Sequence, residues 1–97
     1  MALSPNQCRA ARALLDWTQD ELAERAAVSR STVRGFEGGQ HELHRATAAA
    51  IRRALEEGGV TLLDADHTGG EGVRRREATG PSNPRMELSS SDNRGGT

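Results

Sequence analysis

Thr18–Gly39 reads TQDELAERAAVSRSTVRGFEGG, and two short helices are written into it. Thr18 is followed three positions on by Glu21, the spacing of a capping box. In such a box the threonine oxygen accepts a first-turn amide bond and the glutamate returns one to the cap. The helix opened at Gln19 runs to about Ala27 and buries Leu22, Ala23 and Ala26 at helical spacing. Ser29 caps a second helix that stops at Gly38-Gly39. With only Val28 and Ser29 between them, the helices must cross steeply, and Ala23, Ala26 and Ala27 let them approach closely.

The same grammar extends upstream. Ser4, Pro5 and Gln7 form another cap, with proline at the first helical position, so a helix is expected over about Pro5–Leu15, burying Cys8, Ala11 and Leu15. An apolar residue precedes each cap and another lies five positions beyond it: Leu3 with Cys8, Trp17 with Leu22, Val28 with Val33. That is the spacing of a hydrophobic staple, which sets the angle of entry into each helix. Downstream, Ala48, Ile51, Ala54 and Leu55 line one face of a fourth helix, about Arg45–Glu57, closed by Gly58-Gly59. Val60–Leu63 then has strand character, and Gly72-Val73-Arg74 is placed to pair back on it across Asp64–Glu71. A lone ribbon of this kind is only marginally stable, so a dimer contact is one use for it. Arg74–Arg76 reads as a solvated run, with extra phosphate contacts as the alternative. From about Glu77 the chain is rich in Gly, Ser, Pro and Asn and is expected to be disordered.

At ~100° per residue, Val33 and Phe36 fall on one side of the third helix. Arg30, Ser31, Arg34 and Gly35 fall on the other, outward side. Two guanidinium groups, a hydroxyl and a gap therefore face away from the core. Arginine forms paired bonds to guanine in the major groove, each worth about 1–3 kcal/mol of discrimination. It also binds phosphate, and the sequence leaves both roles open.

The chain has 97 residues and a formal charge of −1, which by itself does not favour a polyanionic partner. Locally the balance reverses. Between Ser29 and Arg53 there are five arginines (Arg30, Arg34, Arg45, Arg52, Arg53) against Glu37 and Glu42, with His41 and His44 in addition. A phosphate backbone meets such a local stripe, not the whole-chain charge. The single Cys excludes an internal disulfide and fits a reducing compartment. No apolar run approaches the roughly 18 residues of a membrane span, and MALSPNQ lacks the basic start and apolar core of a secretory signal. A cytoplasmic location is expected. His41-x-x-His44 has metal-ligand spacing, but no second cysteine or carboxylate pair completes a site. Cys8, on the apolar face of the first helix, reads as a small core residue. No catalytic grouping, metal site or cofactor motif is expected.

Taken together, Gln19, Leu22-Ala23, Val28-Ser29, Val33, Phe36 and Glu37-x-Gly39 resemble the Cro/repressor-type (XRE, lambda-repressor-like) helix-turn-helix family, over about Leu3–Leu63. Ala46–Val60 also looks like the fourth-helix segment of its small bacterial members. The resemblance implies an all-α bundle of four to five helices, with a short C-terminal β-hairpin as an optional addition. It implies sequence-specific binding of double-stranded DNA by a transcriptional regulator, usually a homodimer on a palindrome, with the helix Ser29–Glu37 in the major groove. On this basis Arg30, Ser31 and Gly35 fall where bases are contacted, joined by Arg34 from the helical wheel. Gln19, Gly38 and Gln40 fall where phosphates are contacted. Arg12 and Glu37 match a pair that commonly forms an internal salt bridge; with Trp17, Leu22, Ala23, Val28, Val33 and Phe36 they are assigned to structure.

Two departures stand out. Ala27 occupies a turn position often held by Gly, where left-handed geometry costs on the order of 1 kcal/mol. Gly35 offers no side chain at a reading position, which leaves specificity to Arg30, Ser31 and Arg34. The expected organisation is a DNA-binding domain over 3–63, a hairpin or arm over 64–76, and a tail over 77–97. An antitoxin-like or other protein-interaction module of the same fold is the alternative, motivated by the acidic total charge and by Gly35.

Overall fold

A computed structural model describes residues 3–77; the expected tail beyond Glu77 lies outside the described residues. The order is α1 (Pro5–Leu15), α2 (Gln19–Ala26), α3 (Arg30–Glu37), α4 (Arg45–Gly58), β1 (Val60–Leu63) and β2 (Gly72–Arg75). Both capping boxes form. Ser4 Oγ accepts from Gln7 N at 3.0 Å and Gln7 Oε1 from Ser4 N at 3.1 Å. Thr18 Oγ1 accepts from Glu21 N at 3.0 Å and Glu21 Oε1 from Thr18 N at 2.8 Å. Ser29 caps α3 alone, since its third helical residue is Thr32, which lacks a carboxylate to complete a box.

α2 packs on α3 and α4, and α1 closes over α3, α4 and both strands. Leu22, Val33, Ile51, Leu55, Val60 and Cys8 are fully buried between them. Leu3, a staple partner, is buried with them, and Trp17 and Val28, which precede the other two caps, pack against the core from its edge. Three details of the buried faces differ from expectation. On α1 the polar Gln7 is buried, while Leu15 is only half-buried; Ala48 on α4 is half-buried as well. Trp17 lies across the end of α4, where a Cβ on Gly58 would stand 2.6 Å from indole Cη2. The Arg25 guanidinium carbon lies 4.4 Å from the centroid of the same ring, a cation–π arrangement.

The hairpin is present, antiparallel, with Val60 opposite Arg75 and Leu63 opposite Gly72. It is not a free arm. Val60 and Leu62 are buried in the helical core, and Gln7 Nε2 donates to Leu63 O at 2.9 Å and Gly72 O at 3.0 Å. One amide of α1 thus bridges the two strands at the mouth of their turn. Arg75 Nη2 donates to Leu14 O at 2.6 Å, and Arg76 Nη2 donates to Glu56 O. Both caps meet carbonyls of a last helical turn, the negative end of each dipole. Of the Arg74–Arg76 run, Arg74 fits the solvated reading, whereas Arg75 and Arg76 join the hairpin to α1 and α4.

Ala27 ends α2 with φ 59° and ψ 43°, and Val28 N donates to Ala23 O at 3.0 Å. The alanine therefore adopts the turn that glycine would make, at the cost of a crowded Cβ. Ala27→Gly should raise stability by up to about 1 kcal/mol, the relief of that crowding outweighing the added freedom of the unfolded chain. A melting temperature unchanged or lowered in the variant would show that the turn carries no such strain.

Candidate nucleic-acid interface

Beneath the interface lies one buried carboxylate. Glu37, at the end of α3, is 3 % exposed. Arg12 of α1 grips it from two sides, Nε to Oε2 at 2.8 Å and Nη2 to Oε1 at 2.7 Å. Gln19 Nε2, from the first turn of α2, donates to Oε1 at 3.0 Å, and Cys8 Sγ lies 3.0 Å from Oε2. Arg12 Nη1 also holds Trp17 O at 3.0 Å, and Arg9 donates to the Glu37 carbonyl. Three helices are thus pinned at one point, which sets how α3 is presented.

Burial pushes the Glu37 carboxyl upward, but bonds from Arg12, Cys8 and Gln19 and the arginine charge together hold it below its ordinary value. The Cys8 thiol is driven up by burial and then by its carboxylate partner, so it stays protonated and unreactive at neutral pH. A carboxyl whose folded pKa lies below its unfolded pKa contributes stability that is fully present above the unfolded value. That contribution is lost as pH falls through the folded value. The protein should therefore lose stability below about pH 4.5, the ordinary value for Glu37. Asp66, hydrogen-bonded by the Thr68 side chain and then by its amide, shifts the same way. The share due to Glu37 is read as the difference between melting-versus-pH curves of wild type and Glu37→Gln. Parallel curves would remove Glu37 from the acid response.

The opposite side of α3 is open. Arg30, Ser31 and Arg34 are exposed, the two arginine side chains at 65 % and 59 %. The first turn of α3 carries no acidic residue, and Arg30 sits at its start, so helix dipole and side chain add to one positive end. Sequence reasoning missed Asp20, which lies between the arginines: Oδ2 is 3.3 Å from Arg30 Nη1 and Oδ1 3.8 Å from Arg34 Nη2. Its distance along the chain carries no hint of this; the crossing of α2 on α3 creates the contact. Exposed pairs of this kind are worth roughly 0–1 kcal/mol, so a competing acceptor would displace the aspartate at little cost.

The remaining expected contacts are placed differently from one another. Gln40 is exposed just beyond α3. Gln19 is half-buried, with its amide directed at Glu37. Gly38 is exposed, but its N–H donates to Arg34 O at 2.9 Å, so a backbone phosphate contact there would have to displace that bond. Gly35, which the wheel puts on the outward face, is buried. The reason is His41, whose imidazole lies over it from the following loop. No helical wheel includes a residue from outside the helix, so this cover has no signal in the periodicity. His44, the other half of the His-x-x-His pair, begins α4 as its exposed N-cap, without a side-chain capping bond.

No helix among the described residues is long and apolar enough to cross a membrane. Compared with known proteins, residues 9–64, more than half of the chain, match the helix-turn-helix family. No curated protein matches the chain.

Proposed function

Because the chain belongs to the Cro/repressor-type helix-turn-helix family, whose members bind DNA and are typically non-enzymatic, we propose that it is a sequence-specific transcriptional regulator that inserts α3 into the major groove of an operator. The observation that carries this reading is the division of α3 into two faces. Val33, Phe36 and Glu37 are locked into the core, and Arg30, Ser31 and Arg34 stand clear of it. A helix ~10–12 Å across fits a groove ~12 Å wide, and arginine matches the paired acceptors of guanine there. Arg30, Ser31 and Arg34 read base edges, while Gln40 and the start of α2 at Gln19 meet the flanking phosphates. The regulator acts in the cytoplasm as a homodimer, because one such helix spans only a half-site and two-fold proteins match palindromes. It acts on transcription by occupying a promoter.

The alternative of a protein-interaction module rested on the total charge and on the missing side chain at position 35. The charge of the α3 face is locally positive, and the His41 ring fills the space over Gly35. Both motives are weakened.

The deciding experiment measures binding of the full chain to genomic duplex fragments across a salt series. Affinity should fall steeply as salt rises, with log K changing by roughly 0.9 per phosphate neutralised for each tenfold in salt. One sequence, with half-sites about one helical turn apart, should dominate the bound fraction. Absence of salt-sensitive affinity for every fragment, with a tight protein partner recovered instead, would replace this function by the interaction module.

A further inference from the structure

The loop after α3 returns along the helix instead of leaving it. Gly39 takes φ +76°, a left-handed conformation that glycine adopts without strain, and no atom stands within 4 Å of where its Cβ would be. The turn is held by Gly39 N to Phe36 O at 3.0 Å and Gln40 N to Gly35 O at 2.8 Å. It delivers His41 onto the one position of α3 that lacks a side chain. A Cβ on Gly35 would stand 2.2 Å from His41 Nε2 and 2.6 Å from Cδ2, so the imidazole occupies the volume a side chain there would need. His41 Nδ1 lies 3.2 Å from Glu42 O, a second hold on the ring. Although it covers Gly35, His41 is itself exposed.

Gly35 follows Ser31 by one helical turn on the outward face, so the ring extends the row that Ser31 begins. We infer that His41 is a specificity-determining residue of this protein: its imidazole, seated over Gly35, supplies the base-reading group that α3 itself lacks at that position. Nε2 faces Gly35, so the nitrogen that meets a base edge in the major groove is Nδ1, which exchanges its contact with Glu42 O for the base. Gly35 is then a positioning residue whose role is to leave room. The assignment rests on the DNA-binding function proposed above.

The experiment is a selection from a randomised duplex library by wild type, His41→Ala and Gly35→Ala, each checked for folding by its melting curve. His41 is an exposed loop residue, and alanine favours helix over glycine, so both variants should stay folded. Both should lose preference, by roughly tenfold, at the same base pair of each half-site while keeping the preferences set by Arg30 and Arg34. Unchanged preferences in His41→Ala overturn the assignment. A uniform loss across all sequences with a shallower salt slope overturns it as well, because that marks a phosphate contact. A change in Gly35→Ala alone overturns it too. If wild type enriches no duplex, the DNA-binding function itself fails and takes this inference with it, an outcome visible before either variant is tested.

Discussion

Arg12→Met should lower folding stability by about 3–5 kcal/mol, the usual cost of removing one member of a buried ion pair. The cost arises from what stays behind. Glu37 is 3 % exposed, and after the change it keeps only Gln19 and Cys8 as side-chain partners in place of a two-pronged guanidinium. Trp17 O loses its donor from Arg12 in the same step. Domains have roughly 0.05–0.15 kcal/mol of stability per residue, so a loss of this size removes a large fraction of the total. The melting temperature should fall by roughly 12 °C or more. Arg12→Met combined with Glu37→Leu should be more stable than Arg12→Met alone, since the stranded charge is gone. DNA affinity should drop in the single variant although Arg12 lies away from the open face of α3, because α1 no longer fixes α3. Denaturant titration followed by circular dichroism measures the first effect, and a loss below 1 kcal/mol would mean that the pair is not what sets α3.

Arg30→Ala should leave the fold intact and cost about 1–3 kcal/mol of discrimination at one base pair, roughly five- to 150-fold. The side chain is 65 % exposed and its sole ion-pair partner among the described residues is Asp20, itself half exposed, so folding loses little. Asp20 shapes the binding effect. In the free protein it holds Arg30 and, more loosely, Arg34 near the middle of the open face, and it must release Arg30 when a base takes over. The surviving Arg34 then has Asp20 to itself. Competition binding against duplexes substituted at each position reads the result. A loss equal at all sequences, with one fewer counterion released, would assign Arg30 to a phosphate instead of a base.

How far the chain could be read depended on the range of the interactions involved. Ser4–Gln7 and Thr18–Glu21 are bonds between residues three apart, and they form as the local sequence requires. The stripes of Leu22, Ala23 and Ala26 and of Val33 and Phe36 follow from helical spacing. Arg12–Glu37 was expected only from the family resemblance, since nothing local joins residues on α1 and α3. Gln7 was read as half of a capping box, and that role is real, but its amide also clamps the hairpin. A side chain with two kinds of polar atom does both, and only one of those bonds is local.

The candidate interface divides in the same way. Arg30, Ser31 and Arg34 were legible as outward-facing because a helix buries one face and exposes the other. Gly35 was misread by the same rule, since a loop residue covers it. Capped helix ends, apolar stripes and glycine stops were determined by sequence alone, because they arise from contacts within a turn or two of backbone. The Glu37 hub, the aspartate between two arginines, the hairpin seated on α1 and the imidazole over Gly35 were decided by tertiary structure. Each depends on the angle and register at which separate elements meet, and those are set by the packing of the whole core.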